Sequence, residues 1–259
     1  MNDAYAVHEL AAALRASSDP RRAAKEKAYL KSDLEHLGVP VPRIRSMAKE
    51  FARTHRDASR TDVVAIVRAL WAEPVHEMRM LAVELLVMHQ ALLTSGDAGL
   101  IERLIRESKT WALVDTLAIT VAGGLVERFG ELERTLDLWA GDDDFWVRRA
   151  ALLALLLPLR RGEGDFDRFG RYADAMLSER EFFIRKAIGW VLRETSKKRP
   201  ELVYPWLLPR ASRASGVTVR EAVKYLPKPQ RDAILSAYTS GPVSRPQRRP
   251  STGSRPPAR

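Results

Sequence analysis

The stretch VRRAA at residues 147–151 opens on an apolar residue, follows it with charge and closes on two small residues. Related patterns stand at MRMLA (78–82), VDTLA (114–118), IRKAI (184–188) and VREAV (219–223). Their second positions are 79, 115, 148, 185 and 220, spaced by 36, 33, 37 and 35 residues. A period in the thirties carried by helical sequence indicates stacked helix pairs, a solenoid of HEAT-like type. Such stacks curve, and their concave side is an extended binding surface.

The flanking sequence agrees. HELAAALRASS and DVVAIVRALWAE place apolar residues at steps of three and four. Breaks fall at Pro and Gly, in GVPVP, EPVH, TSGD, RRGEGD, KKRPE, ASGVT and LPKPQ. No convincing strand alternation is present, so the expected class is all-α: a curved HEAT-like helical-repeat solenoid with a concave binding face. Residues 1–239 are expected to form the repeat domain. Residues 240–259 hold five Arg, five Pro and no acid, and read as a disordered basic tail.

Of 259 residues, 46% are hydrophobic, enough for a sizeable core, and six Trp and seven Phe argue against disorder. There is no Cys, which removes disulfides and thiolate metal sites and fits a reducing cytoplasm. The N-terminus lacks the basic region of a signal peptide. The longest apolar run, AALLALLLPL, is too short to span a bilayer, so no membrane association is expected. The net charge is +10, of which the tail supplies +5. The rest of the chain is therefore still basic, and an anionic partner fits it. A GC-rich genome, which favours Arg, Ala and Pro codons, would give a similar composition.

The repeat register isolates one residue. Its second position carries Arg79, Arg148, Arg185 and Arg220, but Asp115 in the second copy. Asp115 lies four residues after Trp111 in SKTWALVDTLA (108–118), so the two share a helix face. An ionised Asp is costly to bury without a partner. Either Asp115 pairs with neighbouring Arg residues in a structural ladder, or a basic surface holds a carboxylate with a task. Trp111 has its own two readings, core residue or ligand contact.

Other chemistry is missing. The five His (8, 36, 55, 76 and 89) are scattered without metal-ligand spacing, and there is no phosphate loop or GxGxxG. No metal and no cofactor is expected. Trp, Arg and a lone Asp on a basic scaffold suit cleavage of an N-glycosidic bond, which passes through an oxocarbenium-like sugar. A carboxylate stabilises that cation, indole faces attract it, and Arg grips flanking phosphates.

On YLKSDLEHLGVPVPRIR, SKTWALVDTLA, FWVRRAALL and SEREFFIRKAIGWVLRE the chain resembles the AlkD-like bacterial DNA alkylation repair enzymes, HEAT-like-repeat DNA glycosylases. The similarity runs from about residue 4 to about residue 239. It implies a monofunctional glycosylase acting on positively charged N3- or N7-alkylated purines in double-stranded DNA. The protein is expected to be cytoplasmic, acting at the nucleoid, and, as a capped solenoid of this size, monomeric. Asp115 matches the family's catalytic Asp and Trp111 its Trp. Arg149 matches the active-site Arg because it directly precedes the paired small residues; periodicity alone does not choose between Arg148 and Arg149. Trp190 matches a second Trp, and Tyr29 a Tyr that lines the DNA cleft. The resemblance implies that Asp115 stabilises the sugar cation and positions water, that both Trp pack on the deoxyribose, and that Arg149 holds a phosphate. Arg148, Arg185 and Lys186 complete the expected DNA contacts. Thr110 and Pro40 depart from residues that occur in relatives. The alternative is a non-catalytic HEAT-like module that binds DNA or a protein.

Overall fold

In a computed structural model of the chain, which describes residues 3–240, helices follow one another with short joins. The order is α1 (Asp3–Ala16), α2 (Pro20–Leu30), α3 (Val41–Thr54), α4 (Arg60–Ala72), α5 (His76–Met88), α6 (Ala98–Ser108), α7 (Trp111–Thr116) and α8 (Gly123–Arg128). It continues with α9 (Glu133–Ala140), α10 (Phe145–Ala154), α11 (Leu156–Arg161), α12 (Phe166–Ala175), α13 (Phe182–Ser196), α14 (Pro200–Leu207), α15 (Gly216–Ala222) and α16 (Lys228–Ser240). Among the described residues there is no strand, only a single parallel bridge between Glu35 and Val75. No helix there is long and apolar enough to cross a membrane. The expected basic tail, apart from Ser240 at the end of α16, lies outside the described residues.

Local chemistry marks the helix boundaries. Ser59 and Asp62 form a reciprocal capping box at the start of α4. Asp19, Asp144 and Asp165 accept from the first free N–H groups of α2, α10 and α12. Gly162, at φ +89°, closes α11 in the left-handed conformation.

The helices pair as the period requires. Inner helices α5, α7, α10, α13 and α15 stack in sequence, and each carries its repeat position one turn from its start: Arg79, Asp115, Arg148, Arg185 and Arg220. One pair escaped the sequence reading. α1 packs on α4 and α3 on α5, so α1 and α3 form a further repeat with α2 inserted between them. Its inner helix carries IRSMA at 44–48, which puts Arg45 on the same row.

Apolar faces merge into one continuous core, with Leu14, Ile44, Leu70, Leu86, Ile101 and Phe169 fully buried. A partly exposed polar ladder runs beside it with the same period. Arg60 meets Asp97, Trp71 Nε1 donates to Glu107, Arg106 meets Asp142, Tyr172 donates to Asp137 and Arg210 meets Asp174. Each bond reaches 35 to 37 residues along the chain, one repeat on.

One glycine is needed for close packing. Pro158 has no N–H to give Ala154 O, the carbonyl four residues earlier, and the chain bends there into α11. Ala154 O faces Gly123, where an added Cβ would sit 2.6 Å from it.

Candidate active site

Between α6 and α7 the chain turns sharply. Lys109 takes the left-handed conformation at φ +49°, and Thr110 caps α7 by accepting from Ala112 N–H. That turn sets Trp111 at the first position of α7, where it stays 36% exposed. Leu113, Val114, Leu117 and Ala118 bury the opposite face of the helix. Asp115 follows Trp111 by one turn and points with it away from this apolar stripe. From Leu117 to Ala122 the helix widens to π geometry, and Gly123 N–H reaches Ala118 O five residues back. Such widened turns occur often at functional sites.

Arg149 comes to Asp115 from α10. Its Nε and Nη2 donate to the two carboxylate oxygens at 2.8 Å each, a bidentate pair. Its Nη1 donates to the Phe183 carbonyl at 2.5 Å, and the guanidinium lies over the Phe183 ring. Arg149 thus ties α7, α10 and α13 together. The residue is only 3% exposed, whereas the Asp115 side chain keeps 17%.

Asp115 lines a cleft of about 380 Å³ together with Trp111 and Trp190 of α13. Met80, Val83 and Ile119 supply an apolar wall. Tyr29, on α2 and 75% exposed, stands edge-on to Trp111 with ring centroids 6.3 Å apart. The fold therefore brings together Trp111, Asp115, Arg149, Trp190 and Tyr29, which lie far apart in sequence.

The other expected contacts do not gather there. Arg148 gives Nε and Nη2 to Glu179 and Nη1 to the Asp142 and Asp143 carbonyls. Arg185 Nε donates to Glu179 O, and Lys186 pairs with Glu221 at 2.7 Å. These charges brace turns and neighbouring repeats. The phosphate contact expected of Arg149 also meets an obstacle, because its guanidinium is buried on Asp115. Its place is that of a residue that orients the carboxylate.

One cation missed in the sequence does line the cleft. Arg45 donates through Nε to Glu84 at 2.9 Å; Glu84 is buried, while the Arg45 side chain is 60% exposed. IRSMA, 34 residues before Arg79, was the signal that could have found it.

The architecture is that of a helical-repeat protein whose inner helices hold an open cleft in which an arginine fixes the Asp115 carboxylate beside two indoles. The sequence profile of the DNA alkylation repair enzyme family matches residues 10–226, and the chain belongs to that family. The structure of a predicted DNA alkylation repair enzyme from Enterococcus faecalis is similar at 26% identity. Its TM-score is 0.73 over 82% of this chain and 98% of that one. AlkD2 from Streptococcus mutans shares the fold at 17% identity, TM-score 0.57, over 72% of this chain and 90% of that one. The protein smu.31 from Streptococcus mutans UA159 does so at 17% identity, TM-score 0.56, over 72% and 98%. No curated protein matches the chain significantly.

Proposed function

We propose that the chain is a DNA glycosylase that hydrolyses the N-glycosidic bond of positively charged N3- or N7-alkylated purines in double-stranded DNA. The observation that carries this reading is the Asp115 carboxylate, fixed by Arg149 beside Trp111 and Trp190 in an open cleft.

The chemistry follows from charge. The C1′–N bond breaks heterolytically, and its electron pair leaves with the base. The alkylated base becomes neutral by accepting that pair, so it needs no proton from the protein. The sugar is left as an oxocarbenium ion, which a carboxylate stabilises. Water adds at C1′ and releases a proton, leaving an abasic site. The bidentate pair uses one lone pair on each Asp115 oxygen, and each oxygen retains another for the cation or the water. The indole faces add cation attraction and apolar packing against the deoxyribose. Arg45 at the cleft wall suits a phosphate.

The test is release of free alkylpurine from methylated duplex DNA. The wild-type chain is expected to liberate 7-methylguanine and 3-methyladenine, and Asp115→Asn to release them at least about a hundredfold more slowly. Duplex binding that weakens with salt, without base release, would instead identify a non-catalytic binding module.

A further inference from the structure

A second cluster of polar groups lies where the α2–α3 connection meets the start of α5. Glu35 N–H donates to Pro74 O at 2.8 Å, and His76 N–H donates to Glu35 O at 2.9 Å. Glu77, 1% exposed, accepts from Leu37 N–H at 2.9 Å and from Gly38 N–H at 2.6 Å. These bonds hold the connection against α5 and bury His36 between them.

His36 is 9% exposed, and neither of its ring nitrogens has a hydrogen-bond partner. His76, 4% exposed, stacks on it with centroids 4.5 Å apart, and its Nδ1 is also without a partner. A neutral imidazole has one donor and one acceptor, and burial without partners forfeits its hydration. The protein's own groups leave that acceptor nitrogen unsatisfied, and the side chains around it suit a ligand that would satisfy it. Glu26 of α2, His36 and Glu77 each place one ligand atom within 4.8 Å of the others.

We propose that Glu26, His36 and Glu77 bind a single divalent transition-metal ion, with zinc the best fit, and that His76 supports the His36 ring from its stacked position. Two carboxylate oxygens and one imidazole nitrogen form a three-ligand set of the kind zinc takes, with water as the fourth ligand. Zinc bonds to nitrogen at about 2.0–2.1 Å and to carboxylate oxygen at about 2.0–2.2 Å, so ligand atoms this close need only a small closure. Calcium and magnesium, which prefer all-oxygen shells, suit an imidazole poorly. Each Glu77 oxygen gives one lone pair to a backbone N–H and keeps a second for the ion. Those N–H bonds also orient the carboxylate, as outer partners do in metal sites. Glu26 pairs with Arg22 at 2.6 Å, but this is a partly exposed bond within one helix, and its exchange for a cation costs little.

The ion would clamp three segments distant in sequence: α2, the connection after it and the first turn of α5. Tyr29 lies one turn beyond Glu26 on α2 and meets Trp111 edge-on, so the clamp holds the helix that presents Tyr29 to the cleft. The scattered spacing of 26, 36 and 77 matches no sequence motif, which is why no metal was expected.

The test uses the full chain, stripped with a chelator and titrated with zinc chloride by calorimetry, with cobalt(II) absorption as a report of coordination. One zinc per chain is expected, with a rise in Tm of about 5–10 °C at a hundred times Kd. Glu26→Gln and His36→Asn should each weaken binding at least about tenfold. His36→Asn alters a buried site, so Glu26→Gln, on a partly exposed residue of α2, decides if the first variant fails to fold. Absence of saturable binding overturns the proposal. So does stoichiometric binding that survives Glu26→Gln undiminished, because the ion would then sit elsewhere.

Discussion

Replacing Asp115 by Asn tests both readings of that residue, because the structure makes it an ion-pair partner and a cleft-lining group together. Arg149 is 3% exposed and depends on Asp115 for two of its hydrogen bonds. Breaking a buried pair from one side costs about 3–5 kcal/mol, since it strands the other charge. Asn keeps one acceptor oxygen, so Asp115→Asn should fall at the low end, about 3 kcal/mol. For a domain of this size that is a fall in Tm of about 6–12 °C. A lowered Tm therefore does not by itself assign Asp115 a purely structural role. Arg149→Met strands Asp115 instead, and its 17% exposure lets water solvate it, so the cost should be smaller, about 2 kcal/mol. The double variant removes both charges and should cost about 1–2 kcal/mol, a coupling of about 3–4 kcal/mol. Base release separates the roles. Asp115→Asn and the double variant should both lose at least about a hundredfold in single-turnover rate, because neither has the carboxylate. Arg149→Met should lose less, since it keeps the charge and loses the orientation. Recovery of both stability and rate in the double variant, or a normal rate in Asp115→Asn, would refute the catalytic role.

Three further outcomes follow from single contacts. Arg45→Gln keeps a donor for Glu84 and removes the exposed charge at the cleft, so duplex affinity should fall and the slope of log K against log salt should shrink by about one phosphate contact. An unchanged slope would place Arg45 off the DNA path. Gly123→Ala would normally gain from helix propensity, but its Cβ would sit 2.6 Å from Ala154 O, so urea unfolding should show a loss of about 1–3 kcal/mol. Burial pushes the Glu221 carboxyl up, but hydrogen bonds from Lys186 and Lys224 and the charge of Arg193 outweigh it and lower its pKa from 4.5 to about 2. Because the folded pKa is the lower one, the stabilisation is complete above pH 4.5 and is lost as pH falls towards 2. Allowing for solvent screening of its partners, Lys186 at 40% and Lys224 at 49% exposure, Glu221→Gln should cost about 1–2 kcal/mol at neutral pH, with the difference closing in acid. A gap that stays constant through acid unfolding would refute this linkage.

The repeat was legible in the sequence because every inner helix buries the same positions against its neighbours, and the chain records that burial once per repeat. The pair α1 and α3 was hidden by the insertion of α2, although IRSMA carried the pattern. The meaning of the Arg row was harder to read. A charge on a repeat looks like a charge on a surface, yet helix ends and turns leave carbonyls that need donors. Arg79, Arg148 and Arg185 meet such carbonyls at Glu107, Asp142, Asp143 and Glu179. Family resemblance, not periodicity, selected Arg149 over Arg148, and the backbone explains the difference: Arg148 turns to the loops and Arg149 to the preceding inner helix.

The register isolates Asp115, but the spacing of its ion pair does not distinguish it from a structural one. The step from Asp115 to Arg149 is 34 residues, like that from Glu127 to Arg161, a pair on the molecular exterior. The same bond type therefore recurs along the solenoid, and most of its copies only hold repeats in register. What separates Asp115 from them is its surroundings. The left-handed Lys109 turn brings Trp111 to the edge of its helix, the next two inner helices deliver Arg149 and Trp190, and the inserted α2 carries Tyr29 across to Trp111. A carboxylate shielded by Arg on one side and open to indoles on the other has a direction in which its charge can act. That asymmetry arises only when the five repeats from α1 to α13 are stacked, so no stretch of sequence shorter than the stack contains it.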